Sequence, residues 1–327
     1  MAQDIFNLFS IKRILVLGDV MIDAYLEGKV NRISPEAPVP ILSIENEEKR
    51  LGGAANVAIN LSCLGATTIM ASVIGDDENG KELLGLFHKQ KISTEGVIIS
   101  KNRKTTVKTR VIGNNQQLIR VDNEQCNSIN ESEESLLIAR INEILEKGVD
   151  AVIFEDYNKG VLNKNTIEQV LGLCKKFNII TSVDPKNDNF FSYHGVSLFK
   201  PNLKELKDST PHSFDVNDRI EFENAVSELK RRIDAENVMV TLSEKGVYIC
   251  NDNQKFYFSA HYRNIADVSG AGDTVISVAT LCLLIGLSAD KIAAISNLAG
   301  GLVCEQVGVV PINRDQLKQE LERSNLI

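Results

Sequence analysis

A chain of 327 residues, 43% hydrophobic and 24% charged with only 7 prolines, can bury a large core and has neither a fibrous nor a disordered composition. Lys and Arg number 36 against 44 Asp and Glu, giving a formal charge of −8, and no basic run reaches the density a nucleic-acid backbone demands. Residues 1–10 have neither a cationic nor an apolar signal region, and the longest apolar stretch, 275–287, is interrupted by Ser277, Thr280 and Gly286, so no membrane partner is expected.

Short β-branched apolar runs alternate with amphipathic stretches, which predicts a doubly wound parallel sheet covered by helices on both faces. In chain order the first strand spans 11–17 and ends at Gly18-Asp19. Segment 25–45, with Pro35, Pro38 and Pro40, reads as extended chain without a helix. A helix follows over 54–64, closed by Gly65, then a strand over 67–74 and a helix over 81–90. Segment 105–122 is a second extended stretch, and with 25–45 it reads as a small β lid standing off the main sheet, the alternative being an irregular sheet edge. A helix over 132–147, strands over 151–154, 179–183 and 196–199, a helix over 221–233, a strand over 238–242 and a helix over 274–285 complete the pattern. The six cysteines are scattered without C-x-x-C and suit a reducing cytoplasm, and the four histidines (His88, His194, His212, His261) lack metal-ligand spacing.

The strongest local signal is Asp267-Val-Ser-Gly-Ala-Gly-Asp-Thr274 directly before the 274–285 helix. Gly270 and Gly272, with Ala271 between them, permit a sharp turn whose N–H groups converge where the helix dipole is positive, an anion hole. A resting phosphate cradle has no use for a carboxylate at its centre, so Asp273 reads as a general base beside an electrophilic phosphorus; the bland alternative is a helix N-cap. Gly75-Asp-Asp-Glu-Asn-Gly-Lys-Glu82 imitates a P-loop, but Glu82 replaces the metal-holding hydroxyl, and the dinucleotide pattern fails because Val275 replaces its third glycine. Asp19 and Asp23 leave the first strand, and Gly52-Gly53-Ala-Ala-Asn56 opens a helix; this mixture of carboxylates and amide suits a polyhydroxylated ligand, or else Asp19 and Asp23 are turn residues and the glycines allow close packing.

The order Gly52 to Asn56, Asn202-Leu-Lys-Glu205, Thr241-Leu-Ser-Glu-Lys-Gly246 and Asp267 to Thr274 resembles the ribokinase-type (PfkB) carbohydrate kinases over essentially the whole chain. The resemblance implies a three-layer α/β/α core with a β lid in one kinase domain, Asp273 as base and Gly270, Ala271 and Gly272 as its anion hole. It implies Asn202 and Glu205 near the phosphates and Mg²⁺ of ATP, Glu205 acting through water, with Thr241, Ser243 and Gly246 along the nucleotide and Asn297 by the adenine. Asp267 and the Gly308 loop are similar to a monovalent-cation site, which makes K⁺ a candidate cofactor; Val268 stands where Thr is commoner.

Within the family, Asn31 to Pro40, Lys108 to Ile112, Asn115 to Asp122, Asp156-Tyr157-Asn-Lys-Gly160 and Asp184-Pro-Lys186 resemble the heptose 7-phosphate kinases. That likeness implies transfer to C1 of D-glycero-β-D-manno-heptose 7-phosphate on the way to ADP-heptose, with Asp19, Asp23, Gly52, Gly53, Asn56, Asp156 and Tyr157 lining the sugar. Lys108, Arg110, Arg120 and Lys186 have the charge to hold the existing phosphate, the alternative being ordinary solvated lid charge. Relatives imply a homodimer sharing the lid. Some relatives add a C-terminal nucleotidyltransferase; no H-x-G-H occurs here, so a separate adenylyltransferase is expected downstream. The rival readings are a kinase for another sugar phosphate, such as fructose 6-phosphate, and a non-catalytic sugar- or nucleotide-binding regulator.

Overall fold

The computed structural model describes residues 2–210, 212–260, 263–324 and 326, so His261 lies outside the described residues. The strands are β1 (Arg13–Gly18), β2 (Val20–Ile33), β3 (Pro40–Gly53), β4 (Thr67–Gly75), β5 (Ser93–Ser100), β6 (Thr106–Gly113), β7 (Gln116–Asn123), β8 (Ala151–Glu155), β9 (Ile180–Asp184), β10 (Leu198–Phe199), β11 (Asn237–Thr241), β12 (Val247–Cys250) and β13 (Lys255–Phe258). The helices are α1 (Ala2–Ser10), α2 (Ala54–Cys63), α3 (Glu78–Lys89), α4 (Glu131–Glu146), α5 (Lys164–Lys176), α6 (Leu203–Ser209), α7 (Arg219–Ile233), α8 (Ala271–Leu284), α9 (Ala289–Val303) and α10 (Arg314–Ser324).

Nine strands form one sheet in the order β13-β12-β11-β10-β9-β8-β1-β4-β5, parallel from β5 through β11 and antiparallel at β12 and β13. β1 reads as an unbroken apolar run because both its faces are covered. Ile14 and Val16 face a cluster built from α1, α2, α3, α8, α9 and α10, whereas Leu15 and Leu17 face one built from α4, α5, α6 and α7. This is the three-layer α/β/α arrangement the sequence implies. Among the described residues no helix is long and apolar enough to cross a membrane.

The lid is a separate four-stranded sheet, β3-β2-β6-β7, so the edge-of-sheet alternative is set aside. Its strands reach further than the predicted segments: β2 begins at Val20 and β3 runs to Gly53, so both enter the core before the lid leaves it. Ile119 and Val121 alternate on one face of β7 and are 57% and 51% exposed, leaving an apolar strip on the lid. The false P-loop resolves as a helix cap: Asp77 Oδ1 accepts from the Gly80 N–H at 2.7 Å at the start of α3, and Oδ2 accepts from the Thr105 N–H at 2.9 Å.

Three strands escaped the sequence reading: β5 and β13 mix polar and apolar residues, and β12 is an apolar run only four residues long. The predicted 196–199 strand shrinks to Leu198–Phe199. Those two residues pair with both β9 and β11 and are buried, so position within the sheet replaces length. Phe199 meets Phe190 edge-to-face at 5.1 Å and lies 6.4 Å from the Tyr193 ring. Phe199→Ala is expected to cost about 3–5 kcal/mol, read as a lower denaturation midpoint in urea; a change under about 1 kcal/mol would show that this strand is not packed as described.

Candidate active site

Parallel strands present their carboxyl ends to one crevice, and the polar residues that follow them converge there. Glu155 ends β8 and Asp184 ends β9, Lys200 follows β10, and the amino end of α8 arrives from below. Gly270 caps α8 with φ 81°, and a Cβ added there would meet Asn56 Nδ2 at 2.7 Å, so only glycine allows this approach. The helix begins at Ala271, three residues before the predicted start, which places Asp273 inside its first turn and removes the N-cap alternative.

Asp273 is buried, and both its oxygens are held by side chains. Oδ2 accepts from Asn56 Nδ2 at 2.7 Å and Oδ1 accepts from the Tyr157 hydroxyl at 2.8 Å. Burial raises its pKa to about 6; the Asn56 and Tyr157 hydrogen bonds pull against that rise, and the nearby Asp184 charge adds to it. Of the predicted anion hole, the Ala271 N–H is already bonded to Val268 O at 3.3 Å. The N–H groups of Gly270, Gly272 and Asp273 have no acceptor among the described residues, so these three can meet an anion.

The acids around the base were only partly legible in the sequence. One oxygen each of Glu155, Asp184 and Asp273 lie within 4.8 Å of one another. Glu155 Oε2 is buried without a hydrogen-bond partner, and burial, then the Asp184 and Asp273 charges, push its pKa well above the usual range. Lys200 Nζ, 2% exposed, pairs with Asp184 Oδ2 at 2.7 Å. A Cβ on Gly272 would lie 3.6 Å from that Nζ, so the Lys200–Asp184 pair stands beside the hole. Burial works against the Lys200 charge but Asp184 outweighs it, and the pKa rises. Glu155, Asp184 and Lys200 were not singled out as site residues. The available signal was a charged residue immediately after an apolar strand run, on adjacent strands.

Several predicted ligand contacts have other duties. Asp19 accepts from the backbone N–H groups of Tyr157, Lys159 and Val161, each at 3.0 Å, two on Oδ2 and one on Oδ1, so it shapes the loop after β8. Asp156 turns into the core, where Tyr193, Asn189 and the Asn158 N–H occupy its oxygens at 2.8, 3.1 and 2.8 Å. Asn56 and Tyr157 hold the Asp273 carboxyl group. Gly52 and Gly53 give clearance: a Cβ would meet Asp23 Oδ2 at 2.2 Å and Asp19 O at 2.5 Å, respectively.

The predicted phosphate-holding cations are all neutralised by acids of the chain. Lys108 pairs with Asp122 and Glu124 at 3.1 and 2.9 Å, Arg120 with Asp122 at 2.9 Å, Lys186 with Glu205 at 2.5 Å, and Arg110 with Asp23. Arg110 and Arg120 nevertheless face each other across β6 and β7, two like charges in register.

Among the residues expected to line the nucleotide, Asn202 and Glu205 form a reciprocal capping box at α6, Asn202 Oδ1 accepting from the Glu205 N–H and Glu205 Oε2 from the Asn202 N–H, each at 2.8 Å. Thr241 ends β11 and bridges to Asn202; Ser243 and Gly246 form the tight turn into β12, with φ 53° and 95°. Asn297 on α9 donates to Ser259 O at 2.8 Å.

This arrangement is that of a kinase, and the pfkB family carbohydrate kinase pattern matches residues 11–315; the chain belongs to that family. Among curated relatives, it is 39% identical over 317 residues to the bifunctional protein HldE of Desulfatibacillum aliphaticivorans, covering 97% of this chain and 64% of that one. It is 38% identical over 297 residues to the HldE of Helicobacter pylori, covering 91% and 64%. Thus the chain spans slightly under two thirds of the length of these relatives. Its fold is similar to Escherichia coli phosphofructokinase-2 in complex with potassium, with TM-score 0.80 at 18% identity over 97% of this chain and 99% of that one. It is also similar to Arabidopsis thaliana ribokinase complexed with ribose and ATP, with TM-score 0.70 at 17% identity over 95% and 99%.

A base must be ionised to act, so activity is expected to rise with pH through about 6 and level off above it. The Tyr157 hydrogen bond favours the carboxylate form of Asp273; removing it in Tyr157→Phe should raise the pKa and move the acid limb of kcat/KM to higher pH. An unmoved limb would separate Tyr157 from the base.

Proposed function

We propose that this chain transfers the γ-phosphoryl group of ATP to the C1 hydroxyl of D-glycero-β-D-manno-heptose 7-phosphate, giving the 1,7-bisphosphate for ADP-heptose synthesis. The observation that carries the phosphoryl-transfer step is the buried Asp273 carboxylate, raised to about 6, beside the free N–H groups of Gly272 and Asp273. Asp273 accepts the sugar hydroxyl proton as in-line transfer begins, while those two N–H groups and Lys200 face the negative charge on the moving phosphoryl group. The heptose reading rests on the likeness to HldE proteins and on the lid arginines.

The residues suit a magnesium–nucleotide complex. Glu155, Asp184, Asp273 and Glu205 outnumber Lys186 and Lys200, and Glu155 Oε2 is an unpartnered hard oxygen. Glu205, whose oxygens are engaged by Lys186 Nζ and the Asn202 N–H, would hold Mg²⁺ through water, with Asp184 and Glu155 nearest the transferred group. When bound, the metal would supply charge neutralisation on the phosphates. Asn202, Thr241, Ser243, Gly246 and Asn297 would line ATP.

Arg110 and Arg120 stand opposite each other across the lid strands, each already paired with an acid of the chain, and the sugar's existing phosphate would be held by both guanidinium groups if it lay between them. The exposed Ile119 and Val121 strip suits a second copy of the chain, making the lid a shared dimer element. An adenylyltransferase activity would consume the product.

Pure protein with Mg²⁺-ATP is expected to phosphorylate heptose 7-phosphate in strong preference to fructose 6-phosphate and ribose; selective turnover of either control would overturn the heptose assignment. Asp273→Asn should retain nucleotide and sugar binding by calorimetry and lose about 10²–10⁴-fold in kcat. Wild-type turnover from that variant would remove Asp273 from the chemistry. Arg120→Ala should raise KM for the phosphorylated sugar about tenfold or more with kcat little changed, while leaving KM for ATP where it was.

A further inference from the structure

The loop between α9 and α10 carries Gly308, and the family resemblance puts a potassium ion beside it, held in part by Asp267. The side chains present fit that ion poorly. Asp267 Oδ1 accepts from the Ser269 N–H at 2.9 Å and Oδ2 from the Gly308 N–H at 3.0 Å, so each carboxylate oxygen carries a backbone hydrogen bond and the loop is tied down by the chain itself. The carbonyls flanking Gly308 are engaged as well, and by a cation: Arg50 Nη1 donates to Val307 O at 3.4 Å and Val309 O at 3.2 Å.

Arg50 is built into this position. Its Nε and Nη2 each lie 2.7 Å from Glu48, its guanidinium lies over the Tyr25 ring at 4.7 Å, and the Tyr25 hydroxyl accepts from the Val309 N–H at 3.0 Å. Gly308 has φ 76°, and a Cβ there would meet both Arg50 Nη1 and the Tyr25 hydroxyl at 2.9 Å, so the loop closes on these two groups because residue 308 is glycine. A planar, permanently charged guanidinium with several donors can fix a pair of carbonyls as an ion does, without exchanging with solvent. Asp267 then links the Gly308 N–H to the Ser269 N–H, one residue before the Gly270 turn that opens the anion hole.

We infer that Arg50 is the resident cation of the Gly308 loop, and that this chain folds, binds nucleotide and turns over without a requirement for potassium. The inference uses the proposed ATP site only for its nucleotide readout.

The test compares the full chain in potassium, sodium and tetramethylammonium chlorides at matched ionic strength. Melting temperature, affinity for ATP by calorimetry and ATP turnover are measured in each. All three quantities are expected to agree across the salts, the affinities and rates to within about twofold, because an ion that binds only the folded chain would raise its stability in proportion to its occupancy. A potassium-specific rise in melting temperature, or a loss of about tenfold or more in ATP affinity or turnover in tetramethylammonium, overturns the inference. Arg50→Met should weaken ATP binding about tenfold or more in every salt with the far-ultraviolet circular dichroism unchanged; wild-type affinity in that variant also overturns it. Should the variant fail to fold, the wild-type salt series decides alone. Absence of ATP binding in all salts would refute the kinase reading, while the melting series would still judge the cation.

Discussion

Placing an ionisable carboxyl group out of water at the start of a helix is the constraint around which this molecule is arranged. An isolated buried charge is costly, several kcal/mol even after relaxation. Asp273 meets that cost with an amide from α2, a phenol from the loop after β8 and the positive end of α8, and it still titrates near 6. Those supports have supports of their own. Tyr157 is placed by Asp19, whose oxygens gather three backbone N–H groups of its loop, and Asn56 is steadied by Asn60, which also holds the Thr274 hydroxyl and the Ile312 N–H. Much of the polar interior therefore serves to hold one side chain.

The lid belongs to the same scheme. Because β2 starts and β3 ends within the core, the lid cannot move as a loose flap; its base is fixed where Asp19 and Gly53 meet α2. Charges on its inner face are paired with one another in the absence of an anion, Arg110 with Asp23 and Lys108 with two acids. An incoming phosphate would compete for charges already in place, which favours selectivity over raw affinity.

The fold class was legible because parallel strands buried on both faces leave continuous apolar runs, and β1 and β8 are such runs. The lid was legible from two extended stretches with no helix between their strands. What the sequence hid follows from competition between local and global roles. Asp19, Asp156 and Asn56 look like a sugar site because carboxylates and amides are what sugars need, but they are also what loop N–H groups and a buried base need. Glu155 and Asp184 were obscure for the opposite reason: a single acid at a strand end has no local pattern, and its meaning comes from the neighbouring strand. Capping residues show both roles at once, since Asn202 and Glu205 form a helix start before any nucleotide arrives.

β1 lies inside the large sheet, between β4 and β8, although it is the first strand made. Its β4 side can pair once Gly75 has left the ribosome, but its other edge has no partner until Glu155 has been added. At synthesis rates of about 5–20 residues per second that interval is roughly 4–16 s. Throughout it, the apolar run Ile14 to Leu17 presents an unpaired edge and an uncovered face. The order of strands thus makes the nascent chain, rather than the finished enzyme, the form most in need of a chaperone.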